Sequence, residues 1–224
     1  MPDGVLVFDM DGVLLDVTES YRETIRQTVR YFTSQEIANE RIQDLKNAGG
    51  WTNDWAVSHR LIGDLGFNVD YGAVVAQFQT IFLGQSDDGL MLREVWTARP
   101  GLLERLSQRY DLAVFTGRTR EEARITLDRS ARGLTFHPVI SADDVVHGKP
   151  APDGLLDIAA ITGATRMWYV GDTVDDARSA KAARVPFIGI AAATTPGRAK
   201  LQSLFAAEGA VHVLEDINQL EGVI

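Results

Sequence analysis

Short apolar runs recur along the chain, and each stops abruptly at polar residues. They are Val5–Phe8, Leu112–Phe115, Pro138–Ile140, Met167–Val170, Phe187–Ile190 and Val211–Leu214. Each is rich in β-branched or aromatic residues and too short for a stable helix, so each predicts a buried strand. Stripes with helical spacing lie between them: Leu102, Leu103 and Leu106; Ala123, Ile125 and Leu127; Leu155, Leu156, Ile158 and Ala159; Ala177, Ala180 and Ala182; Ala199, Leu201, Leu204 and Phe205. Continuous apolar strands alternating with amphipathic helices imply a parallel sheet covered on both faces.

Residues 16–97 break this alternation. They read as successive helices over Tyr21–Phe32, Gln35–Lys46, Asn53–Leu65 and Tyr71–Leu83, with Asn53 as an N-cap and Gly66 as a C-cap. No strand-like run interrupts this stretch, which is too long for a loop of a compact domain. The prediction is an all-helical insert, 16–97, in an α/β core made of 1–15 and 98–224. Thr97-Ala98-Arg99-Pro100-Gly101 is the breaker-rich return.

Composition narrows the functions available. The 224 residues carry 22 Lys+Arg against 31 Asp+Glu, a formal charge of −9. That argues against nucleic acid and against an acidic membrane surface as partners. Taken at face value, it also argues against any anionic substrate. A hydrophobic share of 45% excludes wholesale disorder. With 0 cysteines there is no disulfide scaffold, thiolate metal site or cysteine nucleophile. No apolar run approaches the ~20 residues of a bilayer span, and the start is acidic where a signal peptide would be basic. A cytoplasmic protein is the expectation. The histidines, His59, His137, His147 and His212, share no metal-ligand spacing.

In an open parallel sheet the chemistry collects where strands end at their carboxyl edge. The residues just past the predicted strands are Asp9-Met10-Asp11, Thr116-Gly117-Arg118, Gly148-Lys149-Pro150 and Gly171-Asp172-Thr173-Val174-Asp175-Asp176. Converging carboxylates repel one another, and a hard dication relieves them; oxygen ligands without sulfur or imidazole suit Mg²⁺. One carboxylate can then act as nucleophile and a second as general acid and base. A hydroxyl, an ammonium and backbone amides can hold phosphoryl oxygens. Such a set suits in-line phosphoryl transfer.

The same residues carry a family resemblance. Asp9-Met10-Asp11-Gly12-Val13-Leu14, Thr116-Gly117, Lys149-Pro150-Ala151-Pro152-Asp153, and Gly171-Asp172 with Asp176 resemble, in order, the four motifs of the haloacid dehalogenase superfamily. The insert resembles the helical cap of its phosphoglycolate phosphatase and β-phosphoglucomutase branch. The resemblance implies a Rossmann-like, mostly parallel sheet core with an inserted all-α cap. It implies Asp9 as nucleophile and Mg²⁺ ligand, and Asp11 as general acid/base with its backbone carbonyl on the metal. Thr116, Gly117 and Lys149 would bind the phosphoryl group, and Lys149 would also orient Asp9. Asp172 would ligate the metal directly and Asp176 through water, with Asp175 ranked below it. A dehalogenase needs no carboxylate at the position of Asp11, so phosphate chemistry is favoured. The implied reaction is hydrolysis of a small phosphorylated metabolite through a phosphoaspartate.

Three alternatives stay open on this fold: a phosphomutase, a phosphonate hydrolase, and a catalytically silent phosphate-binding regulatory protein. A phosphonate hydrolase would use a lysine of the insert as a Schiff base, and Lys46 is the one lysine there. The stretch from Lys46 to Trp55 offers a cation, flexible glycines and indoles, so Lys46, Gly50 and Trp51 are candidate substrate contacts. Arg118 is read either as the holder of a second substrate anion or as a partner of Glu121 or Glu122.

Overall fold

The first apolar run is strand β1, Val5–Phe8, buried along its whole length. The computed structural model describes residues 2–85 and 88–224. Contacts divide the chain into two compact units, Met1–Leu15 with Trp96–Ile224, and Asp16–Val95. Where the chain passes between them, β2 (Leu15–Asp16) pairs with β3 (Val95–Trp96) as a two-stranded ribbon.

The Asp16–Val95 unit is helical: α1 (Glu23–Thr33), α2 (Asn39–Ala48), α3 (Asp54–Asp64) and α4 (Tyr71–Leu83). Helix α1 packs on α3 and α4, and Tyr21, just ahead of α1, lies with its ring centroid 4.1 Å from that of Phe82. Asn53 caps α3 as its sequence predicts, its side chain accepting from the N–H groups of Trp55 and Ala56. Helix α2 starts at Asn39, later than the predicted Gln35. Ser34 ends α1 in the left-handed region (φ 56°), and Ala38, just ahead of α2, is extended (ψ 152°).

The other unit continues with α5 (Leu102–Leu106), β4 (Asp111–Phe115), α6 (Arg120–Ser130), β5 (Val139–Ile140), α7 (Asp153–Thr162), β6 (Met167–Gly171), α8 (Val174–Ala183), β7 (Phe187–Ile190), α9 (Arg198–Glu208) and β8 (His212–Leu214). The sheet order is β5-β4-β1-β6-β7-β8, and every pair is parallel. It is an α/β, Rossmann-like sheet. The chain winds to one side of β1 through β4 and β5 and to the other through β6, β7 and β8. In open sheets such a switch point, here at the carboxyl end of β1, is where ligands bind. Phe8 is in register with Val114 on one side and Val170 on the other, so Asp9 and the ends of β4 and β6 reach one edge together.

Phe115, Tyr169, Phe187, Phe205, Leu155 and Ile158 belong to one buried cluster. Burial of each such side chain contributes about 1.5–3 kcal/mol. Several predicted stripes are rotated. Leu156 of α7 is 51% exposed, and Ala182 of α8 is exposed. On α6 the buried positions are Glu122, Ala123 and Thr126, while Ile125 and Leu127 are half-buried. Polar residues turn inward there because they have partners. Glu122 accepts from the Thr119 N–H and hydroxyl in a capping box, and Thr126 accepts from Arg118. The last strand begins at His212, since Val211 is outside it and exposed. Among the described residues, no helix is long and apolar enough to cross a membrane.

Candidate active site

Asp9 is the first residue past β1, and its N–H still donates to Val170 O (2.9 Å), so the sheet positions it. It is 6% exposed. Its Oδ1 accepts from the Met10 N–H (2.7 Å) and from Lys149 Nζ (3.0 Å), which together stop the carboxylate from rotating. Lys149 is buried and also reaches Asp176 Oδ1, at 2.7 Å. Its ammonium lies 5.0 Å from the centroid of the Phe115 ring and 5.4 Å from that of Tyr169. Aromatic faces stabilise a desolvated cation, so a buried lysine is tolerable here.

Asp176 is fully buried and closes the capping box that starts α8. Its Oδ2 accepts from the Thr173 N–H (3.0 Å) and hydroxyl (2.6 Å). Its Oδ1 accepts from Tyr169 Oη (2.6 Å) as well as Lys149. A carboxylate has about four lone-pair sites, and four donors use them, so Asp176 is held in place from within the protein. Asp175 is buried too, with Arg178 Nη1 3.9 Å from its Oδ1. Tyr169 is not among the candidate residues at the strand ends, yet its hydroxyl reaches Asp176. The available signal was a phenol in an otherwise apolar strand.

One oxygen each from Asp9, Asp172 and Asp176 lie within 4.8 Å of one another. Asp172 packs against the turn after β1 at Gly12, where a Cβ would stand 2.0 Å from Asp172 Oδ2. Gly12 also has φ +72°, a region open to glycine and strained for other residues. Gly12→Ala is therefore expected to displace Asp172 and weaken divalent-cation binding by about tenfold or more. Isothermal titration with Mg²⁺ checks this, and unchanged affinity would show that Asp172 does not depend on the close approach.

Charge in the site is unbalanced. Burial pushes the Asp9 carboxyl up to about 7; Lys149 opposes the rise, while Asp176 and Asp11 reinforce it. Burial also acts to raise Asp176, but Lys149 and the Thr173 and Tyr169 hydrogen bonds outweigh it and hold this carboxyl below its ordinary value. Lys149 is held above its ordinary value because Asp176 and Asp9 together outweigh its desolvation. One ammonium thus faces a group of carboxylates. The donors are all oxygen, clustered and in excess of the local positive charge, which fits a hard divalent cation such as Mg²⁺.

Thr116 follows β4, is 1% exposed, and accepts the Arg118 N–H on its Oγ1 (3.2 Å). The β1–β4 register brings Thr116 and Gly117 to the same edge as Asp9. Arg118, a candidate either for a second substrate anion or for a pair with Glu121 or Glu122, reaches across to the turn after β1. Its Nε and Nη2 both donate to Asp11 Oδ1, at 3.0 and 2.5 Å, and its Nη1 donates to Thr126 Oγ1 at 2.7 Å. Of the partners proposed for it, Glu121 pairs with Arg124, and Glu122 takes part in the capping box of α6. The remaining candidates, Lys46, Gly50 and Trp51, belong to the helical unit. There Lys46 Nζ is 2.8 Å from Asp54 Oδ1, Gly50 has φ +80°, and Trp51 faces the Arg60 guanidinium at 5.6 Å.

Known proteins are similar to this chain in sequence and in fold. Residues 4–184 match the haloacid dehalogenase-like hydrolase family. An imidazoleglycerol-phosphate dehydratase of Phytophthora nicotianae is 34% identical over 94% of this chain. The chain spans only 48% of that longer relative. A phosphoglycolate phosphatase of Pseudomonas putida is 24% identical over 96% of this chain and 78% of its own length. The crystal structure of a haloacid dehalogenase-like protein of unknown function from Agrobacterium tumefaciens has a TM-score of 0.75 at 19% identity, covering 98% of this chain and 96% of that one. That likeness concerns the fold. The match over most of the length, together with Asp9, Lys149, Asp172 and Asp176 on one sheet edge, places the chain in the haloacid dehalogenase-like hydrolase family.

Proposed function

We propose that the protein is a Mg²⁺-dependent phosphatase that hydrolyses a small phosphomonoester through a phosphoaspartate on Asp9. The observation that carries this is Asp9 itself: buried, fixed by Lys149 and the Met10 N–H, and grouped with Asp172 and Asp176. An Asp9 oxygen attacks phosphorus while the P–O bond to the leaving group breaks. Asp11 donates a proton to the departing oxygen and afterwards takes one from the water that hydrolyses the acyl phosphate. Lys149 keeps the Asp9 carboxylate oriented and offsets charge on the phosphoryl oxygens. Asp9, Asp172 and the Asp11 carbonyl would hold Mg²⁺, with Asp176 behind; the ion supplies positive charge for the phosphoryl oxygens. The negative total charge does not oppose this reading, because a cation and Lys149 would reverse the sign locally.

The phosphonate-hydrolase alternative rests on Lys46, and its ion pair with Asp54 weighs against a free amine there. A silent phosphate-binding protein has no need of the Asp9, Asp11, Lys149 and Asp172 set. The test is release of inorganic phosphate from a panel of phosphorylated metabolites with Mg²⁺. Phosphomonoesters bearing an imidazole and phosphoglycolate belong at the head of the panel, following the names of the relatives. Release from one substrate far above the rest names the leaving group. Absence of release throughout would overturn the reading, and conversion of a substrate to its phosphate isomer would mark a mutase.

The metal role has its own test, independent of turnover. Mg²⁺ at 100 times its Kd is expected to stabilise the protein by about 2.7 kcal/mol, which a melting curve reads as a rise of several degrees. Asp172→Asn is expected to lose that rise, and EDTA to remove activity. A melting temperature indifferent to Mg²⁺ would exclude the ion from this site.

A further inference from the structure

Arg118 is a buried cation that the proposed chemistry leaves without a task. Its side chain is 1% exposed, against 30% for the Asp11 side chain it binds. The fork is held rigidly. The Arg118 N–H donates to Thr116 Oγ1, the Arg118 carbonyl accepts from the Ala142 N–H (2.9 Å), and Nη1 donates to Thr126 on α6. Two of its N–H groups then converge on a single oxygen, Asp11 Oδ1. A fork-to-fork pair would occupy both carboxylate oxygens. This end-on pair uses only Oδ1, so a proton can come and go at Oδ2 without breaking either bond.

We propose that Arg118 is a positioning residue for proton transfer by Asp11. It clamps Oδ1 from the buried side and makes Oδ2 the oxygen that exchanges the proton. In the first half-reaction the Asp11 Oδ2–H bond breaks and its proton joins the bridging oxygen of the leaving group. In the same step the P–O bond to that group breaks and the Asp9 O–P bond forms. Thr126 sets the angle of the guanidinium, which explains why a threonine faces inward on α6. The inference rests on reading Asp11 as the general acid.

A matched pair of aryl esters tests it. Phenolate needs a proton as it leaves, whereas 2,4-dinitrophenolate does not. With Arg118→Met, the loss in kcat/KM on phenyl phosphate is expected to exceed that on 2,4-dinitrophenyl phosphate by about 30-fold, a part of the roughly 10²–10⁴-fold that general acid catalysis contributes. Arg118→Lys keeps the charge without the fork and is expected to show a smaller excess in the same direction, and so is Thr126→Val. Asp11→Asn serves as the reference. If Asp11→Asn shows the excess and the folded Arg118→Lys and Thr126→Val proteins lose equally on both esters, Arg118 is merely structural and the inference is overturned. If Asp11→Asn itself loses equally on both, the reading of Asp11 as the acid falls instead. Should Arg118→Met fail to fold, the Lys and Val variants decide the matter in the same way.

Discussion

Asparagine in place of Asp9 is expected to lower turnover of p-nitrophenyl phosphate by about 10⁴-fold or more, the scale on which a covalent nucleophile is missed. The substitution keeps shape and an acceptor for the Met10 N–H and Lys149, which now bind Oδ1. What it removes is the charged oxygen that attacks phosphorus. The fold should not suffer. Without Mg²⁺ the Asp9 carboxyl is raised from 3.8 to about 7, mainly by burial. A carboxyl raised on folding binds its proton more tightly in the folded state. Between about pH 4 and pH 7 the wild type therefore loses stability from this group as pH rises. Asp9→Asn has no such loss, so in EDTA at pH 8 it should melt at or above the wild-type temperature while being inactive. Measured activity within tenfold of wild type would remove Asp9 from the nucleophile's role. A lower melting temperature in EDTA would show that its charge is better compensated than the geometry indicates.

Replacing Lys149 by methionine is expected to damage both folding and catalysis. The ammonium stands between Asp9 and Asp176, 3.0 and 2.7 Å from their Oδ1 atoms, and all three groups are buried. Removing one partner of a buried ion pair costs about 3–5 kcal/mol, because the remaining charges are left desolvated and, here, facing each other. In a chain of this length that lowers the melting temperature by about 10 °C. If Lys149 also binds phosphoryl oxygens as proposed, its loss should reduce kcat by about 10²–10³-fold. Adding Asp176→Asn removes one orphaned charge and keeps an oxygen acceptor for Tyr169 or Thr173. It should recover part of the stability and none of the activity. A melting temperature unchanged by Lys149→Met would mean that the ammonium does not hold these carboxylates together. Recovery of activity in the double variant would show that the lysine acts on Asp176 alone.

Structure is most legible in the sequence where it is local. Val5–Phe8 is continuously apolar, so it could be placed as a buried strand, and Asp9 as the residue that leaves it. Asn53 could be read as a cap because it acts on N–H groups two and three residues away. It is least legible where a side chain chooses between faces. Leu156 and Ala182 fit their stripes by residue type yet face solvent. Glu122 and Thr126 are polar yet buried. Periodicity counts apolar residues and has no means of weighing a polar residue whose partner lies elsewhere in the chain. The Arg118–Asp11 bond is illegible for the same reason: the charges nearest Arg118 in sequence are Glu121 and Glu122, whereas Asp11 is 107 residues away.

By itself, then, the amino-acid sequence determined the alternation of strands and helices, the helical character of the stretch after β1, and the set of residues at the strand ends. These follow from hydrophobic period and from which residues directly succeed an apolar run. Tertiary structure alone decided the pairings within that set: Lys149 shared between Asp9 and Asp176, Tyr169 beneath Asp176, Asp172 against Gly12, and Arg118 on Asp11. Those contacts depend on the register of neighbouring parallel strands and on the rotation of each helix about its axis. Both are set by packing among segments far apart in the chain, and no local pattern encodes them.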